Sequence, residues 1–139
     1  MIVLDTSGLF TALNDMQPGH GEARRVLEAA TGPLILSPFI LCELDYLITT
    51  RVGAHAAACL LQEVEAGSYE LASFDAAEMG AALEIIEQYR DLAIGLADAS
   101  IVILAGRYGT EQVLTLDERH FRALISPRGR PFRLLPADA

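Results

Sequence analysis

The chain has 139 residues, 52% of them hydrophobic, and a formal net charge of −9. That length suits a single domain (1–139), and the apolar content is enough for a core, which excludes a disordered chain. No basic leader precedes the first apolar run. The longest apolar segment, Leu92 to Gly106, is shorter than the roughly 20 residues of a membrane span and carries Asp98 at its middle, so a soluble, cytoplasmic protein is expected.

Ile2-Val3-Leu4 reads as a buried strand that ends in Asp5-Thr6-Ser7-Gly8 and turns helical through Leu9, Phe10 and Leu13. Gln17-Pro18-Gly19 breaks that helix and a second covers His20 to Ala30. Pro33 to Ser37 predicts a second strand, and Pro38 opens a helix from Phe39 to about Thr50. Gly53 separates it from a helix over Ala54 to Ala66. Tyr69 to Ala72 predicts a third strand. Asp75 caps a helix whose apolar stripe is Met79, Leu83, Ile86 and Tyr89. A nearly all-apolar helix, Ala97 to Tyr108, is closed by Gly109. Val113 to Leu116 and Phe132 to Leu135 complete a set of four or five strands. Strands alternating with helices of this length imply crossovers and a mostly parallel sheet with helices on both faces.

Cys42 and Cys59 form no close-spaced pair and read as small buried apolar residues in a reducing compartment. His20, His55 and His120 are equally scattered, so a Cys/His metal site has little support. All ten basic residues are arginine. An acidic chain binds nucleic acid poorly on composition alone. However, five arginines and no acid lie between Arg119 and Arg133, either as a solvated surface or as an RNA-contacting one.

Four acids stand where apolar or capping residues are expected. Asp98 has Ile94, Gly95, Ile101 and Val102 at helical spacing, and no lysine exists to pair with it. Its ordinary role would be a helix-start acid. Glu43 is flanked at the same spacing by Phe39, Ile40, Tyr46 and Leu47, an expected inward face with Asp45 on the other side; a hydrogen-bonded structural Glu is the alternative. Asp5 and Asp117 each follow a strand, where ligands gather in open parallel sheets, and each is also placed to cap a helix. Four converging carboxylates would suit one or two hard divalent cations, which cleave phosphodiesters by activating water. Thr6, Ser7 and Thr115 are candidates to orient the carboxylates.

The strand ending in Asp5-Thr6-Ser7, the helical Glu43, Leu96-Ala97-Asp98-Ala99-Ser100-Ile101 and Thr115-Leu116-Asp117-Glu118-Arg119-His120-Phe121 occur in that order. Together they resemble a PIN-domain ribonuclease, and at this length a VapC-type toxin of a toxin–antitoxin pair. The resemblance runs from Ile2 to Phe121. It implies a three-layer α/β/α fold, Mg²⁺ or Mn²⁺ at Asp5, Glu43, Asp98 and Asp117, and endonucleolytic RNA cleavage. It also implies a homodimer and a cognate antitoxin that occupies the site, for which an arginine is the expected probe. Glu118 and His120 stand near the last motif and are assigned no metal.

Two other enzyme classes also gather acids at strand ends. A two-component receiver domain needs a lysine, which this chain lacks. A haloacid-dehalogenase-type phosphatase needs a second Asp where this chain has Ser7. A non-catalytic module holding a metal ion or an arginine-bearing partner is the alternative from a different class.

Overall fold

In the computed structural model, which describes residues 1–139, the first apolar run is strand β1 (Ile2–Leu4), buried at all three positions. It is followed by α1 (Thr6–Leu13), α2 (His20–Ala29), β2 (Leu34–Leu36), α3 (Pro38–Arg51), α4 (Ala54–Glu65), β3 (Glu70–Leu71) and α5 (Ala76–Gln88). A short 3₁₀ turn (Arg90–Leu92) leads to α6 (Leu96–Tyr108), β4 (Gln112–Leu114), α7 (Glu118–Phe121) and β5 (Arg133–Leu135). The five strands are all parallel, in the order β3-β2-β1-β4-β5. The chain winds outward from β1 to β3, then returns to the far side of β1 for β4 and β5. Crossovers of one hand therefore put α1–α4 on one face and α5–α6 on the other, giving three layers. Because β1 has β2 on one edge and β4 on the other, the strand order reverses at β1. A crevice opens there beyond the carboxyl ends of the strands.

Local sequence explains the joints around that crevice. Gly8 sits in the first turns of α1 so close to β4 that a Cβ would lie 2.3 Å from the Leu114 carbonyl oxygen; only glycine lets the helix start there. Ser37 caps α3 by accepting from the Phe39 N–H, with Pro38 at the first helical position. Asp75 and Glu78 form a reciprocal capping box on α5. Glu78 also pairs with Arg107 of α6, whose guanidinium lies 4.9 Å from the centre of the Phe74 ring, so α5 and α6 are tied at that end.

Three expectations about faces are corrected. Helix α3 buries Ile40, Leu44 and Ile48, a single i, i+4, i+8 line, which turns Tyr46 to the opposite side, 72% exposed, and leaves Glu43 exposed on its shoulder rather than packed inward. Helix α5 buries Ala82, with Ile85, Ile86 and Tyr89 partly covered, while Leu83 is 57% exposed; the small Ala82 is what lets α5 approach the core. Cys42, facing away from the Leu44 line, is exposed, and Cys59 is half-buried beside His55.

Candidate active site

Asp5 leaves β1 in extended conformation and occupies the N-cap position of α1, but its side chain makes no capping bond. It is buried, and one carboxylate oxygen, Oδ2, accepts from the hydroxyls of Ser7 (2.8 Å) and Thr115 (2.7 Å). Those hydroxyls are themselves held: Ser7 accepts from the Leu116 N–H and Thr115 from the Asp117 N–H. Two turns on either side of the strand-order reversal are thus fastened through one carboxylate. Burial, above all, raises the Asp5 pKa; the two hydroxyls oppose this, and Asp117 adds a repulsive charge.

Asp98 stands in the first turn of α6, where the helix dipole favours an acid, yet it accepts no hydrogen bond from the backbone there. Its nearest basic group is His120 Nδ1, at 3.8 Å. Burial pushes its pKa up to about 6, and the charges of Asp5, Asp117 and Glu43 push the same way, opposed by His120. Asp98 is thus acted on by the charges of the other three acids. Glu43 reaches it from the exposed shoulder of α3, accepting from the Thr6 hydroxyl at 2.7 Å. Asp117 does cap α7, its Oδ1 accepting from the His120 N–H at 3.1 Å, while Oδ2 faces the His120 ring. Capping therefore accounts for one oxygen of Asp117 and none of Asp5.

A connection unforeseen in the sequence ties α3 to α6. The Phe39 N–H donates to Ser37 Oγ, Ser37 to Ser100 Oγ (2.7 Å), and Ser100 to the Ala97 carbonyl (2.6 Å). Both serines are fully buried. This chain of bonds links the first turn of the Glu43 helix to the first turn of the Asp98 helix. Its only signal in the sequence was a serine two places after Asp98, inside an apolar run.

No arginine pairs with Asp5, Glu43, Asp98 or Asp117; the ion-paired arginines hold other acids. An all-oxygen donor set with repelling, unneutralised charges fits a hard divalent cation. No three His, Cys, Asp or Glu side chains are drawn into a closed ligand set. The site is open, unlike the apolar recess of about 380 Å³ between α1, α3 and α4, which contains none of the four acids.

The sequence matches the PIN domain family model over residues 2–124. This chain belongs to the PIN-domain family. It is 41% identical over 135 residues to Ribonuclease VapC26 of Mycobacterium tuberculosis, covering 97% of this chain and all of the relative. A crystal structure of VapC20 from Mycobacterium tuberculosis, described as a toxin that cleaves the sarcin–ricin loop, superposes with a TM-score of 0.78 at 20% identity, over 84% of this chain and 90% of that one. The second likeness concerns the fold. It agrees with the three-layer arrangement of this PIN domain.

Proposed function

We propose that this PIN domain is a divalent-metal-dependent endoribonuclease, the toxin of a type II toxin–antitoxin pair, working at Asp5, Glu43, Asp98 and Asp117. The observation that carries this reading is the buried Asp5 carboxylate at the strand-order reversal, held by Ser7 and Thr115, with three further acids near it and no cationic side chain from lysine or arginine. The kinship with a VapC ribonuclease supports the reaction class. Asp5 and Asp98 would hold Mg²⁺ or Mn²⁺, with Glu43 and Asp117 at its margin. The ion supplies water activation and neutralises charge developing on the phosphate oxygens. Ser7 and Thr115 keep Asp5 in one orientation, Thr6 does the same for Glu43, and the Ser37–Ser100 link keeps Glu43 and Asp98 in register.

The test is cleavage of a total RNA pool with Mn²⁺ by the wild type and by Asp98→Asn. Cleavage by wild type alone, lost in EDTA and restored by Mn²⁺ or Mg²⁺, is expected. Equal cleavage by a metal-stripped sample would end the metal-dependent reading, and intact RNA throughout would favour the non-catalytic binding module. The reading extends to a cytoplasmic homodimer and a cognate antitoxin. An arginine from that antitoxin would bridge the acids bidentately and compete with the cation. Changing that arginine to alanine should abolish inhibition; unchanged potency would place the antitoxin elsewhere.

A further inference from the structure

Asp117 stands at the head of α7, a helix of only four residues, and a single turn of helix does not hold its shape unaided. Two points tie it down: the Asp117 N–H on the Thr115 hydroxyl, and Phe121, fully buried against Phe132. Two points leave a rotation about the line that joins them, and a third removes it. Arg122, the C-cap of α7, supplies the third. Its two terminal nitrogens fork onto both carboxylate oxygens of Asp138, at 2.8 and 2.7 Å. Its Nε and one terminal nitrogen also donate to Glu118 Oε2, at 3.1 and 3.0 Å. The start and the end of the turn are thereby joined to each other and to a residue 16 positions further on.

Asp138 is itself fixed to the sheet, in a turn (136–138) that folds back beside β5. Its Oδ2 accepts from the Leu134 N–H at 2.7 Å, its own N–H donates to the Leu134 carbonyl at 2.7 Å, and its carbonyl accepts from Arg133 Nε at 3.3 Å. Leu134 is fully buried at the centre of β5. Exposed ion pairs contribute little when solvent screens them singly, but a bidentate arginine–carboxylate pair within a network is the exception. Arg122 first, and then the Leu134 N–H, hold the Asp138 carboxyl down at about 2, so the clamp keeps its charges at neutral pH. A continuous path therefore runs from β5 through Leu134, Asp138 and Arg122 to α7. It decides where the Asp117 carboxylate stands, because that carboxylate is held within its own turn, by the His120 N–H and ring. We propose that Arg122 and Asp138 are positioning residues for Asp117, so that the segment after β5 belongs to the active site. This rests on reading Asp117 as one of the site acids.

Amide hydrogen exchange and steady-state RNA cleavage by the full chain test this together. Asp138→Asn keeps an acceptor for the Leu134 N–H but breaks the fork on Arg122. In that variant the His120 N–H, which reports the Asp117 carboxylate directly, should exchange several-fold faster while the amides of β1 keep their wild-type rates. Its kcat should fall by roughly tenfold, within what a displacement of about 1 Å at a reacting site brings, and KM should change little because Asp138 touches no substrate. Arg122→Lys should behave alike, since an ammonium keeps the charge but not the fork. Glu28→Gln, which removes the comparable exposed pair with Arg24 on α2, should alter neither exchange at His120 nor cleavage. Wild-type exchange at His120 in Asp138→Asn, or His120 and β1 amides quickening together, would reduce the clamp to a surface brace and overturn the proposal. Unchanged kcat in Arg122→Lys would overturn it as well. If the wild type cleaves no RNA, the nuclease reading falls, and exchange at His120 alone then upholds or overturns the clamp.

Discussion

At neutral pH and without a cation, Asp98 carries its charge where burial and three neighbouring carboxylates oppose it, which is why its pKa rises to about 6. Between the ordinary 3.8 and that value the folded protein binds a proton that the unfolded chain has released. Stability from this group is therefore present below the unfolded pKa and is lost as pH rises through about 6. In EDTA at pH 7, Asp98→Asn should melt above the wild type, and the gap should close on acidification towards pH 4; in saturating Mn²⁺ the order should reverse, because only the wild type gains ligand-linked stability. Melts that place the mutant below wild type in both buffers at pH 7 would make Asp98 a structural helix-start acid. Asp5→Asn and Glu43→Gln are expected to abolish cleavage with the fold intact, and Asp45→Asn to leave it nearly unchanged. Equal damage from Asp45→Asn would misassign α3. Asp98 was legible in the sequence because a charge in an apolar helix is conspicuous. The burial expected of Glu43 does not hold: the apolar residues around it suggest an inward face, whereas Leu44 and its helical neighbours form the buried line and Glu43 is exposed beside it. Its carboxylate is held by the Thr6 hydroxyl, a contact 37 residues away in sequence.

Among the elements, α1 and the α3–α6 pair are the joints on which the acids depend. Gly8→Ala forces a methyl group into the Leu114 carbonyl, so α1 must lift from β4, taking Ser7 away from Asp5 and Leu116. A loss of about 1–3 kcal/mol in chemical denaturation is expected, with cleavage reduced by more than the unfolded fraction explains. Activity per folded molecule equal to wild type would show that α1 can move without disturbing the site. Ser100→Ala leaves the buried Ser37 hydroxyl without an acceptor and should cost about 1–3 kcal/mol. Because the chain of bonds is continuous, Ser37→Ala with Ser100→Ala should cost less than the two single changes added, and strict additivity would mean that the serines act separately. Strands and helices were readable in order because each combines an apolar run with a clear stop signal, such as Pro18-Gly19, Gly53 or Gly109. Element ends and the joints between elements were not. The close approach at Gly8 and the Ser37–Ser100 link are pairings across the fold, and no local pattern announces them.

Across the whole molecule, the arginine-rich stretch divides into two uses. Arg122 is held by Glu118 and Asp138, Arg128 by Glu111 and the Gly109 carbonyl, and Arg133 by the Asp138 carbonyl. Arg119 and Arg130 are exposed and make no ion pair, so they remain available to phosphate. With so few free cations on a chain of net charge −9, RNA binding should depend weakly on salt. Replacing both free arginines by alanine should flatten the log–log salt dependence of kcat/KM by about 1.4, at roughly 0.7 per phosphate contact. Replacing Arg122 should lower the melting temperature instead. An unchanged salt slope in the double variant would leave the whole stretch a structural surface.

The reversal of strand order also sets a timetable for synthesis. Asp5 and Glu43 belong to the first half of the chain, but β4, which completes the other wall of the crevice and brings the Thr115 hydroxyl to Asp5, is among the last elements made. A nascent chain stopped before β4 presents acids without the wall that assembles them. The Thr115 hydroxyl that holds Asp5, and Asp117 itself, thus join the crevice only once nearly the whole chain has been translated.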